Sequence, residues 1–133
     1  MPIWGPPVSY VRYFQPAAVG SNETFVLIQV RKGERVLWAS LQRLVLSAGG
    51  STPTLTVGDG DDTDAFIPTV TLASGAANDF VDGRGTYAGL EAIHGKLYNA
   101  LDTVDVTYVA GGTPGATNPK VRINIVTVME WGI

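Results

Sequence analysis

The densest concentration of charged, chemistry-capable side chains is Gly58-Asp59-Gly60-Asp61-Asp62-Thr63-Asp64. Asp59, Asp61, Asp62 and Asp64 place four carboxylates within six positions, a donor set suited to a hard cation such as Ca²⁺. The spacing departs from an EF-hand loop, which carries Gly at its sixth position and Glu at its twelfth. Here those positions hold Asp64 and Val70. Asp and Gly are also what a loop leaving a strand requires for its backbone angles and local hydrogen bonds. The expected role is a solvated turn, with a weak structural calcium site as the alternative. No other metal and no cofactor is expected.

Other candidate chemistry is thinner. His94 is the only histidine and there is no cysteine, so the three or four N and S ligands of a zinc site are missing. No G-x-S-x-G nucleophile elbow accompanies that histidine, which reads as a surface or half-buried residue. Glu91, Asp102 and Asp105 could be paired for glycosidic acid–base work, but any acidic protein offers such pairs, and turn or strand-edge roles suffice for both aspartates. Gly83-Arg84-Gly85-Thr86 lacks the following lysine of a phosphate-binding loop, which leaves Arg84 as a candidate exposed contact residue. No catalytic constellation emerges, and the chain reads as a non-enzyme.

The elements that carry these residues follow from composition and periodicity. A chain of 133 residues is one domain's worth and long enough to bury a core. With 45% hydrophobic and 16% charged residues it is a folding sequence. A net charge of −3 and nine scattered Lys and Arg argue against nucleic acid as a partner. No apolar run approaches the ~18 residues of a spanning helix, and residues 1–7 lack a basic and an apolar signal region, so no membrane partner is expected. Asn22-Glu23-Thr24 matches a glycosylation sequon, which means little without an export signal.

The dominant hydrophobic period is two. Alternation runs through Val8 to Phe14, Phe25 to Val30, Leu55 and Val57, Val104 to Tyr108, and Val121 to Ile125. Between Arg35 and Ser47 two apolar sets overlap, Val36/Trp38 and Leu37/Ala39/Leu41. Turn signals separate the runs at short intervals, as at Lys32-Gly33-Glu34, Gly49-Gly50 and Gly111-Gly112-Thr113-Pro114-Gly115, the last an extended hairpin loop by its position between two strong strands. Strands spaced this way, with little room for crossover helices, predict an all-β antiparallel sandwich or barrel. At most one short helix is expected. Leu90, Ile93, His94, Leu97, Tyr98 and Leu101 recur at helical spacing, against Gly89 and Gly95, so residues 86–93 form a short helix or a loop leading into a strand at residues 96–99.

Residues 1–7 differ from the rest. Pro2, Pro6 and Pro7 favour an extended, Pro-rich N-terminal arm ahead of a single β-sandwich domain over residues 8–133. Trp4 within the arm either folds back on its own sandwich or anchors the arm on a neighbouring subunit.

The order of these segments has a family likeness. Lys32-Gly33-Glu34-Arg35-Val36-Leu37 leads into a long strand. Thr54-Leu55-Thr56-Val57-Gly58-Asp59 with Asp64-Ala65-Phe66 follows, then Asp102-Thr103-Val104-Asp105-Val106-Thr107 and a final Lys120-Val121-Arg122 strand. This resembles the virion structural proteins of tailed bacteriophages, in particular the head decoration (cement) proteins, over most of residues 20–128. The resemblance implies a jelly-roll-like β-sandwich that binds the outer surface of an assembled capsid, with the major capsid protein as partner and itself as homodimer or homotrimer. It implies residence on the virion surface, and in the host cytoplasm during assembly. Trp4, Pro6, Pro7 and Arg84 are the candidate capsid or subunit contacts. The alternative function is a tail or baseplate receptor- or carbohydrate-binding module, with Trp4, Trp38, Trp131 and the tyrosines as a stacking face. Core packing is the plainer role for Trp38.

Overall fold

The computed structural model describes residues 3–15, 22–46, 53–72, 80–82, 95–110 and 119–131. Every regular element among them is a strand: β1 (Ile3–Trp4), β2 (Val8–Phe14), β3 (Glu23–Val30), β4 (Glu34–Val45), β5 (Thr54–Gly58), β6 (Ile67–Thr71), β7 (Phe80–Asp82), β8 (Lys96–Leu97), β9 (Asp102–Val109) and β10 (Lys120–Trp131). Sheet one has the order β2–β10–β4–β7, with β1 further along the same edge of β10 and β8 beside β4. Sheet two has the order β3–β9–β5–β6. All pairings are antiparallel.

The partners nest. β2 pairs with β10, β3 with β9, β4 with β7, and β5 with β6. A long antiparallel hairpin rolled up so that alternate pairs fall in opposite sheets has this connectivity, which is that of a jelly roll. Apart from β5 and β6, none of these partners is consecutive in the chain. The expected hairpin across residues 111–115 is therefore corrected: β9 and β10 lie in different sheets and are not hairpin partners.

Period-two patterning builds the interior. On β10, Val121, Ile123 and Ile125 are fully buried, and on β9 so are Val104, Val106 and Tyr108, while Arg122, Asn124, Asp105 and Thr107 alternate to the outside. Leu41, Leu55, Phe66, Ile67 and Leu72 complete the centre, each such side chain contributing about 1.5–3 kcal/mol by leaving water. The overlapping apolar sets of β4 have a specific cause. Val36 faces Thr127 and Trp38 faces Val126, so Leu37 is an extra residue, a β-bulge. The bulge switches the inward set from Val36 to Ala39 and Leu41, and it turns Trp38 to the outer face, where it is half-buried.

Three strands were not legible from alternation. In β6, Pro68 interrupts the pattern, but β6 is an edge strand, where a missing N–H is tolerated. β7 is three residues long. β1 pairs Ile3 with Trp131 and Trp4 with Glu130, and the Gly5 amide donates to the Met129 carbonyl at 2.8 Å. After the exposed Pro6 and Pro7, β2 resumes opposite Thr127. The predicted helix at residues 86–93 lies outside the described residues. The alternative, a strand from Lys96, is observed as Lys96–Leu97 paired with Val36 and Arg35. Gly95 makes that approach possible: its φ is +76°, and a Cβ there would stand 2.4 Å from the Val36 carbonyl oxygen.

Candidate functional site

The acidic turn joins β5 to β6, and its geometry starts at Gly58. A Cβ on Gly58 would lie 2.1 Å from the Asp62 carbonyl oxygen, so only glycine lets residues 62–63 fold back over the end of β5. The Asp59 amide donates to that same carbonyl at 2.9 Å, and the Asp59 side chain is fully enclosed. Its Oδ1 accepts from the Asp61 and Asp62 amides at 3.0 and 2.9 Å, the pattern of an Asx turn. Its Oδ2 accepts from Lys96 Nζ at 2.6 Å and Tyr98 Oη at 2.7 Å.

Sequence reasoning assigned this turn to solvent or to calcium, and the geometry gives Asp59 a different part. Its two oxygens already hold four donors, so a cation would bind Asp59 only by displacing them. Among the described residues no cluster of three or more His, Asp or Glu is arranged to hold a metal. Asp61 stays exposed, and Asp62 and Asp64 half-exposed. Burial alone would raise the Asp59 pKa, but the bonds from Lys96, Tyr98 and the Asp62 amide, together with the Lys96 charge, more than offset it and hold the carboxyl below 3.8. Burial, then the bond to Asp59 and the neighbouring carboxylates, drives the Tyr98 phenol far above its usual range. It remains a neutral donor. Asp64 moves the other way from Asp59, raised by its hydrogen bond with Asp62, by burial and by the Asp62 charge.

The Asp59 knot ties the two sheets, because Asp59 follows β5 of sheet two while Lys96 lies on β8 of sheet one. Tyr98 extends the tie, its carbonyl accepting from the Gly33 amide at 2.8 Å and its amide donating to the Glu34 carbonyl at 2.9 Å. Buried Glu130 receives Arg35 Nε, and buried Glu34 accepts the Arg31 amide at 3.0 Å. Sequence reasoning did not find Lys96 and Tyr98 as partners of Asp59. They lie 37 and 39 residues away, and no local period encodes that contact.

Of the remaining candidates, Asp102 accepts its neighbouring Thr103 amide at 2.7 Å, and Asp105 sits outward on β9 between Val26 and Gly58. Arg84, His94 and Glu91 lie outside the described residues. Trp4 is held by backbone pairing to β10, next to exposed Pro6 and Pro7.

The surface divides by sheet. Outward from sheet two come Thr24, Thr107 and Thr56 in one cross-strand row, with Val26 and Asp105 beside it, and no Lys or Arg among the described residues of that face. Outward from sheet one, register aligns Tyr13, Arg122, Gln42 and Phe80 in a row across four strands. At the shared β2/β3 edge, Arg12 donates from Nε to the Leu27 carbonyl and from Nη1 to the Val11 carbonyl, both at 3.0 Å, and Leu27 is itself a bulge residue. An occupied carbonyl and a bulge are what protect an open edge from pairing with another strand.

Comparison with known proteins yields fold-level likeness. No family model and no curated relative matches the chain. It is similar to a chain in the acid-stable capsid structure of Helicobacter pylori bacteriophage KHP30, with a TM-score of 0.63 and 18% identity over 100% of both chains. It is also similar to a chain of the cyanophage Pam1 capsid asymmetric unit, with a TM-score of 0.58 and 16% identity over 93% of this chain and 84% of that one. Both of these solved structures are bacteriophage capsids, and the resemblance holds at the level of fold.

Proposed function

We propose that this chain is a non-enzymatic virion structural protein that binds the outer surface of an assembled bacteriophage capsid and stabilises it. The observation that carries this reading is the end-to-end match to a chain of one phage capsid, the whole of each chain aligned. A jelly roll of this size has a closed, filled interior and two broad outer faces, which suits a passive clamp. The acidic turn, the strongest candidate for chemistry, is spent on holding the sheets together. Stabilisation would follow from mass action, since a protein that binds the assembled lattice and not its dissociated subunits shifts the balance toward the lattice. Contacts repeated over several shell subunits, by a homodimer or homotrimer, add through effective concentration. The arm around Trp4, Pro6 and Pro7, and Arg84, are proposed contributors to those contacts.

The test is density-gradient separation of the source lysate with an antibody to this protein. Migration with intact particles, at a copy number comparable to the main shell protein, is expected. A few copies per particle would move the protein to the tail or baseplate, and a signal confined to soluble fractions would overturn the virion reading.

A further inference from the structure

We propose that the outer face of sheet one is the surface that seats on the shell, and that the shell patch it meets is rich in carboxylates. This rests on the virion reading above and adds which face makes the contact and with what chemistry. The row Tyr13–Arg122–Gln42–Phe80 spans four strands, about 14 Å at ordinary strand spacing. Its two ends are aromatic and open to solvent: Tyr13 is 62% and Phe80 55% exposed, with Val11 at 46% beside Tyr13. Tyrosine and arginine are the residue types that anchor protein interfaces.

Two cations on this face, Lys120 and Arg122, point outward. Lys120 Nζ lies 5.6 Å from the Tyr13 ring centroid, and among the described residues neither Lys120 nor Arg122 forms an ion pair. Arg122 Nε is buried and lacks a hydrogen-bond partner. By contrast, the cations Arg35 and Lys96 elsewhere in sheet one are each bound to a buried carboxylate. A chain of net charge −3 therefore directs the cations Lys120 and Arg122 outward here, with Asp82 two positions from Phe80 on β7, while Asp61, Asp62, Asp64 and Asp105 lie on the turn and on sheet two.

That asymmetry selects the occupant. A second copy seated on this face about a two-fold axis would bring Lys120 and Arg122 toward their own symmetry mates, a like-charge juxtaposition. Strand addition at the neighbouring β2/β3 edge is obstructed by Arg12 and the Leu27 bulge. A protein surface bearing carboxylates satisfies Lys120 and Arg122 together, and Tyr13 and Phe80 supply the apolar rim.

The experiment is sedimentation binding to particles of the source phage stripped of this protein. It compares wild type, the double variant Lys120→Glu/Arg122→Glu, the milder Arg122→Gln, and Thr24→Glu on the opposite face. Melting temperatures verify that each variant is folded. The double variant is expected to lose affinity by more than about tenfold, Arg122→Gln by less, and Thr24→Glu by under about twofold, with wild-type binding weakening steeply as salt rises. Folded double variant and Arg122→Gln that both bind like wild type would overturn the assignment of the face, as would selective loss in Thr24→Glu. Wild type that fails to sediment with the particles would instead overturn the virion reading itself.

Discussion

At the β5–β6 turn, Asp59 accepts four hydrogen bonds and is closed off from water. On the outer face of sheet one, Arg122 keeps a buried Nε–H without an acceptor, between two aromatic side chains that are more than half exposed. Both regions juxtapose charge and aromatic rings, and they differ in saturation. In the turn both Asp59 oxygens are filled from within the chain, so the group works on the fold: it fixes a loop and locks β8 of sheet one to the end of β5 in sheet two. On the face, donors and apolar area are left over, and what a folded chain leaves over is available to another molecule. Between these two regions the satisfied bonds, more than the number of charged residues, mark the difference.

Breaking the saturated region has the largest expected effect. Asp59→Ala strands the Tyr98 hydroxyl and two turn amides and leaves Lys96 without its buried partner. A loss of about 3–5 kcal/mol is expected in denaturant unfolding, the range for removing one member of a buried pair. A loss under ~1 kcal/mol would show that the tie does not bind the sheets. Acid reaches the same bond reversibly. The folded-state pKa of Asp59 lies below 3.8, so its contribution is complete well above that pH and fades as pH falls from about 3.8 through the lower folded value. Asp64, raised above 3.8 by its hydrogen bond with Asp62, then by burial and by the Asp62 charge, has the opposite sign: its protonated form is favoured, so stability rises as pH falls through its higher folded value. Melting curves from pH 6 to pH 2 should therefore show a steep loss at the acid end that Asp59→Asn flattens. Asp64→Asn should remove any small gain just before it.

Gly58→Ala comes next. Its methyl would meet the Asp62 carbonyl and the Thr63 backbone within 2.6 Å, so the turn must move, at about 1–3 kcal/mol, the usual range for overpacking. Because the same turn presents the Asp61 and Asp62 amides to Asp59, the double variant with Asp59→Ala should cost less than the sum of the single ones. Strict additivity would separate the glycine from the tie.

How far the sequence discloses these two regions depends on the range of the contacts. The six principal alternating runs become β2, β3, β4, β5, β9 and β10; period two records the core-facing side of the inner strands directly, while β2 contributes only Phe14 and, partly, Tyr10 to the core. The doubled apolar pattern around Leu37 also marked a real feature, although only the register identifies it as a bulge. β6 was hidden by Pro68 and β7 by its brevity. The acidic turn was visible as a cluster of aspartates but read as solvated, since nothing within the loop announces that Lys96 and Tyr98 fold over Asp59. The row Tyr13–Arg122–Gln42–Phe80 was invisible for a related reason. Its members come from four strands, and alone each is an ordinary outward strand residue.

The smallest expected effect on stability belongs to that row and sharpens the comparison most. Tyr13 is 62% exposed, and its recorded partner is the Lys120 ammonium above its ring. Tyr13→Ala removes an exposed cation–π contact of about 0.5–1 kcal/mol and little buried area, so the melting temperature should fall by no more than a few degrees. The contrast with Asp59→Ala then reads out function. If the outer face of sheet one is the contact surface, Tyr13→Ala should weaken particle binding while barely touching the fold, because an anchor side chain acts in the complex and is idle in the free protein. If instead Tyr13→Ala unfolds the domain, the ring is part of the scaffold and the division between the saturated turn and this open face fails at its clearest position.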